Sequence, residues 1–437
     1  MRWSARGSIP ADPTPAMRAF LISLLLPAAL ASAQLEFGRD ARPVLAKYCF
    51  SCHGEEKQEA GIELHTLLDN EDAIRAHQLL KQIADQVESD DMPPYEAEEF
   101  PTEAERKKLL ATVEHLLLRV ERGDVPRNPG RVTLRRLNRH EYSYTVRDLF
   151  GVSFLAGREF PADGSGGEGF DNTADALFLP PVLMERYLQA ANRVVAALYA
   201  DDQLRQRVLL ATPGEGVSVE DAARRILSYH GSLAFRRRLT EEDLTPMIAA
   251  VTKAVAKGDS FEDAMRIPFK ALLVHPSFLF RIQHDQAGKD EWPLTQFELA
   301  TRLSYFLWAS MPDRELFQLA DQGRLRDPGV LRAQVGRMLA DPRSIALSRH
   351  FAGQWIGFDA LVDRVQPDPD RYPAFTRTLR AGMYRESEHF FDHLFRTNRP
   401  VTELIQSDYT FLNAELARHY GIPGVSGSEL RKVTLQD

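Results

Sequence analysis

Apolar positions along most of the chain recur with the spacing of amphipathic helices. Near the start this spacing predicts helices over residues 37–48 and 72–87, and another helix that begins after Thr102. Thr102-Glu103-Ala104-Glu105 has the spacing of a capping box, and Gly123 is expected to end the helix. Its apolar stripe consists of Leu109, Leu110, Val113, Leu116, Leu117 and Val120. The pattern predicts a small all-α domain over residues 34–122.

The rest of the chain is also predicted to be helical, so that the fold class is mainly α. Residues 123–130 contain Pro and Gly in the pattern of a linker. Amphipathic helices are expected at residues 294–307, 331–355 and 377–395. We predict several helical domains, over residues 131–200, 217–284 and 292–407, and the start of a further domain, cut short, over 408–437.

Composition places the chain among globular proteins. Of its 437 residues, 44% are hydrophobic and 27% are charged, which excludes a wholly disordered chain, a collagen and a polytopic membrane protein. The formal net charge of −8 argues against nucleic acid as a partner, because phosphate binding needs a basic face. Two cysteines are too few for a disulfide-stapled scaffold.

The N-terminus has the pattern of a secretory signal peptide over residues 1–33. Arg18 precedes an apolar run over residues 19–30, and Ala31-Ser32-Ala33 forms a small-residue cleavage site. The run is too short to span a bilayer comfortably, and Pro27 argues against the alternative of an uncleaved anchor. Met17 would start a signal of normal length. We expect a periplasmic or otherwise extracytoplasmic protein with no transmembrane span in the mature chain.

Both cysteines lie in Cys49-Phe50-Ser51-Cys52-His53, which is the C-x-x-C-H signature of c-type haem attachment. Cysteines three positions apart lie one helical turn apart, so both sulfurs can reach the haem vinyl groups. The adjacent His53 is then expected to be the proximal iron ligand. The prediction is one covalent haem c.

Three other interpretations of this motif compete with haem attachment. A thioredoxin-like pair would need a βαβ context, whereas the surroundings here are predicted to be helical. A structural zinc site needs a second pair of ligands, and the chain has no further cysteines to supply one. A plain disulfide between Cys49 and Cys52 would leave His53 unexplained.

The second axial ligand is expected to be Met92. It is the one methionine between His53 and Gly123, and Pro93-Pro94 stiffens the loop that carries it. A thioether ligand stabilises reduced iron and raises the potential. The alternative is a loop methionine packed on the core, with His65 or His77 as the iron ligand.

A family resemblance supports these predictions. Through Cys49-Phe50-Ser51-Cys52-His53-Gly54 and Met92-Pro93-Pro94, residues 34–122 resemble the planctomycete-type cytochrome c domain. Downstream segments resemble the helical domains of unknown function that accompany it in large secreted haem-c proteins, and they identify a family without implying a chemistry. These segments begin at Arg135, Gly169, Phe235, Ser277, Leu303 and Phe411.

Three further patterns have residue types that occur in binding sites. The loop over residues 161–172 has glycines and carboxylates that suit calcium, but its spacing is not that of an EF-hand, which favours a surface loop. His389 and His393 share a helix face without the general base of a zinc protease motif. Arg236-Arg237-Arg238 is expected to be solvated or paired with the nearby acids Glu241, Glu242 and Asp243.

We expect an electron-transfer protein rather than a self-contained enzyme. The alternatives are a haem-c-dependent oxidoreductase for an exported or polymeric substrate, and a protein that binds a glycan or cell-surface partner. A redox partner is expected, and a basic one would suit the acidic residues that surround Met92, since no Lys or Arg lies between Val87 and Ala104. The alternative is a solvated acidic loop that aids solubility. The acidic residues are Glu88, Asp90, Asp91, Glu96, Glu98, Glu99 and Glu103.

Overall fold

The computed structural model describes residues 35–124, 134–164, 169–284, 286 and 291–435. The predicted signal peptide and most of the predicted linker lie outside the described residues. Within the described part of the chain α-helices dominate, accompanied by two sheets of two short strands each. The prediction of a mainly α fold is therefore confirmed. The chain divides into two compact units after residue 130.

The first unit is a small bundle that begins with a π-helical turn over Phe37–Ala41. This turn runs directly into the first α-helix, as the predicted helix over residues 37–48 requires. The α-helices of the unit are α1 (Arg42–Tyr48), α2 (Phe50–His53), α3 (Asn70–Arg75), α4 (His77–Glu88) and α5 (Glu103–Glu121).

The prediction of one helix over residues 72–87 is wrong in its continuity. The backbone of Ala76 leaves the helical region, with φ −93° and ψ 32°, so α3 ends and α4 begins at this residue. Asp69 starts α3 because its carboxylate accepts hydrogen bonds from the amides of Glu71 and Asp72. The break leaves Ile74 and Leu80, on the two sides of it, both buried in the core.

Helix α5 closes the first unit with the predicted capping box. The Thr102 hydroxyl accepts from the Glu105 amide, and the Glu105 carboxylate accepts from the Thr102 amide. The same carboxylate accepts a hydrogen bond from the Tyr48 hydroxyl at 3.0 Å, which ties α1 to α5. Of the predicted stripe, Leu109, Val113 and Leu116 are fully buried and Leu110, Leu117 and Val120 pack against the core at its edge.

The second unit holds the remaining elements. The predicted helices at residues 294–307 and 377–395 are present, with slightly different ends. The helices are α6 (Arg139–Phe150), α7 (Pro181–Ala200), α8 (Asp202–Val208), α9 (Val219–Phe235), α10 (Glu241–Ala256), α11 (Phe261–Val274), α12 (Pro276–Leu279), α13 (Gln296–Trp308), α14 (Arg314–Asp321), α15 (Pro328–Ala340), α16 (Gly353–Ile356), α17 (Ala360–Asp363), α18 (Arg377–Thr397) and α19 (Ala414–Tyr420).

The predicted helix over residues 331–355 is interrupted, which corrects that expectation. Helix α15 ends at Ala340 because Asp341 takes up an extended conformation before Pro342. A 3₁₀ turn over Pro342–Ser344 and a π-helical turn over Leu347–Ala352 then lead into α16.

Two small antiparallel sheets join distant parts of the second unit. Strand β1 (Arg135–Arg136) pairs with β2 (Phe280–Arg281), and β3 (Tyr409–Leu412) pairs with β4 (Arg431–Thr434). In the first sheet Arg135 lies opposite Arg281, and Arg136 lies opposite Phe280. Buried Arg136 donates to the Asp163 carboxylate at 2.6 Å and to the Tyr187 hydroxyl at 3.0 Å. The pairing of β1 with β2 brings the start of the unit against the end of α12.

One hydrophobic core runs through much of the second unit. It begins with Leu137 and includes fully buried residues of α7, α9 and α11, such as Val194, Ile226 and Phe269. Tyr305 and Met311, which lie after α12 in the sequence, belong to the same core. The segments predicted as separate helical domains therefore share buried residues.

Candidate functional site

The motif residues Cys49, Cys52 and His53 lie on one turn at the end of the first helix. Helix α1 ends at Tyr48, Cys49 has φ −120°, and helix α2 starts at Phe50. The carbonyl oxygen of Cys49 accepts hydrogen bonds from the amides of Cys52 at 3.2 Å and His53 at 2.9 Å. Both thiols are free. The turn thus presents two thiols and an imidazole together.

The environment of Cys49 does not suit a thioredoxin-like pair. Its side chain is half-buried and packs at the edge of the core of the first unit. Burial, and to a lesser extent the neighbouring Cys52, raises the pKa of the Cys49 thiol to about 11. A redox-active cysteine of that kind needs a lowered pKa, because the thiolate is the reactive form.

His53 is oriented by a backbone carbonyl. Its Nδ1 lies 3.1 Å from the carbonyl oxygen of Glu59, so Nδ1–H donates and the lone pair stands on Nε2. A tight turn places Glu59 there, since the amide of Gly54 donates to the Lys57 carbonyl at 2.8 Å. A Cβ at Gly54 would lie 2.3 Å from the Phe50 carbonyl oxygen, so this position requires glycine. A carbonyl that accepts from Nδ1–H, as that of Glu59 does here, fixes the orientation of a metal-binding histidine.

Met92 lies in a different part of the first unit, in the loop between α4 and α5. Its amide donates to the Gln86 carbonyl at 3.0 Å, and its side chain is 38% exposed. Arg106 of α5 holds the start of this loop, because it forms an ion pair with Asp90 and donates to the Glu88 carbonyl at 3.0 Å. The structure therefore gathers three of the four predicted site residues on one turn and places the fourth in an anchored loop.

The two histidines weighed against Met92 differ in their surroundings. His77 starts α4, and its Nδ1 lies 3.2 Å from the Ile74 carbonyl of the preceding helix. His65 lies in a 3₁₀ turn over Leu64–Thr66 that packs against α2. The Nδ1 of His65 is buried and has no hydrogen-bond partner among the described residues. Of the two, His65 is the stronger rival by position.

The donor set fits a covalently bound haem. Two free thiols one turn apart match the two attachment points, and the histidine beside them keeps Nε2 available for iron. Comparison with known families assigns this part of the chain to a family. Residues 49–96 match the family model Planctomycete cytochrome C. The chain carries a planctomycete cytochrome C domain. The matched range starts at Cys49 and includes Met92.

The downstream matches follow the predicted order after the cytochrome C domain. All three family models are described as proteins of unknown function: DUF1587 matches residues 135–200, DUF1595 matches 222–283 and DUF1592 matches 294–422. No curated protein and no solved structure matches the chain significantly. The predicted family resemblance is therefore confirmed over most of the chain.

The acidic loop at residues 161–172 does not present a calcium site in its described part. Asp163 pairs with Arg136 and accepts a hydrogen bond from the Arg139 amide at 3.1 Å. Asp171 accepts from the side-chain amides of Asn138 and Gln354, both at 3.0 Å. Residues 165–168 lie outside the described residues. The carboxylates that can be described thus hold the loop in place.

The two histidines of α18 are also engaged with the protein. His389 Nδ1 lies 2.8 Å from the Arg385 carbonyl, and His393 Nε2 lies 3.0 Å from Lys432 Nζ. Across the described residues, no group of three or more His, Cys, Asp or Glu side chains could hold a metal ion. No helix in that same part of the chain is long and apolar enough to cross a membrane.

Sequence reasoning missed a half-buried histidine pair outside the cytochrome C domain. The rings of His140 and His350 lie 4.4 Å apart, and His350 Nε2 lies 3.2 Å from the Tyr144 hydroxyl. Burial, followed by the charge of His140, lowers the pKa of His350 well below its usual range. The residues are more than two hundred positions apart, so no spacing in the sequence signals their contact.

Proposed function

We propose that this chain is an exported electron-transfer protein with one haem c attached through Cys49 and Cys52. The observation that carries the proposal is the hydrogen bond from His53 Nδ1 to the Glu59 carbonyl, which leaves Nε2 as the donor atom. Bound haem supplies reversible one-electron chemistry at its iron. The predicted signal peptide agrees with export, because haem c is attached outside the cytoplasm.

Each residue of the turn has a defined role in this proposal. Cys49 and Cys52 hold the group covalently, and His53 is the proximal ligand. Gly54 permits the tight turn that brings the Glu59 carbonyl to His53. Met92 would be the second residue to bind the iron, through a thioether that favours the reduced state.

The first test is whether the haem is covalent and single. The protein is produced with export and cytochrome c maturation, and haem is extracted with acidified acetone. We expect the haem to stay with the protein at one per chain, since both cysteines of the chain lie in one motif. Haem that extracts completely from mature protein would contradict the proposal. The double variant Cys49→Ala, Cys52→Ala should lose covalent haem.

The second test separates Met92 from its rivals. Met92→Ala should abolish the near-infrared band of methionine-ligated ferric haem and lower the reduction potential, because a thioether favours Fe(II). Met184→Ala, in helix α7 of the second unit, is the matched control and should change neither. A wild type without this band, whose ferric spectrum changes in His65→Ala or His77→Ala but not in Met92→Ala, would contradict the assignment of Met92.

A further inference from the structure

A cavity of about 590 Å³ in the second unit combines positive charge with apolar walls. Its volume lies within the usual range for small-molecule sites. Its charged lining consists of three arginines and one glutamate: Arg135, Arg281, Arg302 and Glu298. These residues come from β1, β2 and the first half of α13, so segments of all three domains of unknown function build the one cavity.

Two of these arginines oppose each other directly. Arg135 and Arg281 are register partners in the antiparallel pair β1–β2. Side chains of register partners stand on the same face of a sheet, and like charges placed this way destabilise the pair. Burial, and then the charges of Arg281 and Arg302, hold the pKa of Arg135 below its ordinary value. The fold therefore keeps an electrostatically unfavourable arrangement at this cavity.

The acids nearby do not satisfy the arginines. Glu141 Oε1 lies 3.5 Å from Arg281 Nη2, but Nε and Nη2 of Arg281 are buried and have no hydrogen-bond partner among the described residues. The other Glu141 oxygen accepts from the Asn138 amide in the capping box of α6. Glu298 is likewise used by backbone amides, those of Thr295 at 2.7 Å and His284 at 3.1 Å. Arg302 Nη2 donates to the Gln283 side-chain oxygen at 2.7 Å. The other donors of Arg302 and those of Arg135 remain for an added acceptor, whereas the enclosed guanidinium of Arg281 contributes mainly its charge.

The rest of the lining is apolar. Ile282, Leu299, Leu303, Leu331 and Val335 line the cavity. Phe306 also lines it and is 62% exposed, an unusual exposure for a ring of this size. A bare inorganic ion would leave these walls unused, whereas an organic anion would contact them.

We propose that this cavity binds a small organic oxyanion. Arg135 and Arg302 hold its carboxylate or other charged oxygens by charge-assisted hydrogen bonds, and the charge of Arg281 adds to the attraction. The hydrocarbon part lies against the apolar walls and the ring of Phe306. The proposal concerns the second unit and does not rest on haem attachment.

The test uses calorimetric titration of the whole protein at constant ionic strength, with sulfate, phosphate, acetate and benzoate as probes. We expect saturable binding, with benzoate bound more tightly than acetate because its ring contacts the walls. Arg135→Gln and Arg302→Gln should each weaken benzoate binding by roughly tenfold or more, the size of a lost charge-assisted hydrogen bond. Arg326→Gln, at an exposed arginine outside the lining, is the matched control and should leave binding unchanged.

A stability measurement keeps the test decisive. In buffer without these anions, Arg135→Gln should melt at the same or a higher temperature than the wild type, because it removes like-charge repulsion. Benzoate should then raise the melting temperature of the wild type more than that of the variant. Absence of saturable binding by every probe, or equal weakening by Arg326→Gln, would overturn the proposal. If sulfate or phosphate bound more tightly than benzoate, the proposal that the ligand is organic would be overturned.

Discussion

At the scale of single residues, Arg236 binds groups that are far from it in the sequence rather than the acids close to it. It ends α9 in the left-handed region, with φ 56°, and is 4% exposed. Its guanidinium donates to the carbonyls of Phe278 and Phe280, at 3.0 and 2.8 Å, and to the Tyr305 hydroxyl at 3.1 Å. The expectation of a solvated or acid-paired arginine is wrong here. Arg237 does pair with Asp243, as predicted.

Arg236→Ala should destabilise the second unit strongly. The change leaves buried carbonyl groups without donors, which costs about 3 kcal/mol or more of the free energy of unfolding. Urea unfolding followed by circular dichroism measures the shift of the midpoint. Arg238→Ala is the matched control, because Arg238 is 64% exposed and pairs with Asp321 at the surface. Its loss should cost less than about 1 kcal/mol. Equal effects of the two variants would contradict this account.

His230 should make the second unit sensitive to acid. Burial lowers its pKa to about 4, and its Nε2 lies 3.0 Å from the Val208 carbonyl. Between pH 6.5 and 4 the unfolded chain binds a proton that the folded chain does not, so stability falls as pH falls. His230 contributes about 1.4 kcal/mol per pH unit to this slope within that window, and other histidines of lowered pKa, such as His350, add to it. Unfolding midpoints measured across this pH range give the slope.

His230→Gln isolates this contribution, since the glutamine amide can still donate to Val208. The variant should lose the part of the slope that belongs to His230. His284→Gln, at an exposed position, should leave the slope in place. An unchanged slope in His230→Gln would show that another group titrates.

At the scale of elements, the loop between α4 and α5 carries both Met92 and the exposed acidic residues around it. Its residues around Met92 are exposed, and Arg106 fixes its start through Asp90 and Glu88. The structure also modifies the charge pattern, because Glu99 lies 3.8 Å from Lys47 and Glu103 lies 3.2 Å from Lys107. Glu96 and Glu98, immediately after Met92-Pro93-Pro94, and Glu88 and Asp91 before it are exposed and form no ion pair with the described residues.

A basic redox partner should react with the protein at a rate that falls steeply with salt. Electrostatic attraction speeds the encounter, and exposed charges are screened beyond about 8–10 Å at physiological ionic strength. Stopped-flow electron transfer to a small basic cytochrome measures the rate across a salt series. Replacing Glu96, Glu98 and Glu99 by Gln should flatten the dependence without changing the haem spectrum. If the wild-type rate did not change with salt, the acidic loop would not be a docking site for a basic partner.

At the scale of the whole molecule, the three domains of unknown function behave as parts of one structure. Strand β1 begins the first of them and pairs with β2 at the end of the second. Tyr305, which lies in the third, hydrogen-bonds to Thr145 of the first at 2.8 Å and to Arg236 of the second. The first two families therefore share one hydrophobic core, and the third joins it through Tyr305 and Met311 while keeping hydrophobic clusters of its own.

This arrangement predicts how fragments of the chain should behave. Residues 131–200 alone should fail to fold, because the buried residues of α6 and α7 would lose their core neighbours in α9 and α11, and Tyr142 would lose its ring contact with Phe278. Residues 131–437 should unfold cooperatively. Circular dichroism and thermal melting of the two fragments measure the difference. A stable, cooperatively melting fragment 131–200 would contradict the shared core.

Short-range features of this protein were determined by the sequence itself. The capping box Thr102–Glu105, the apolar stripe of α5 and the Cys49–His53 turn depend on residues within one or a few helical turns, so their spacing predicts them. The break at Ala76 escaped prediction, because the apolar positions on its two sides continue a helical pattern.

Only the tertiary structure decided which distant residues meet. Arg135 opposes Arg281, His140 contacts His350, and Arg236 reaches Tyr305, in each case across at least 69 positions. Such pairings are set by how helices pack and by which edges two short strands share, and no local period records them. The haem-attachment turn follows from a local motif, whereas the arginine-lined cavity exists only because the chain returns to itself.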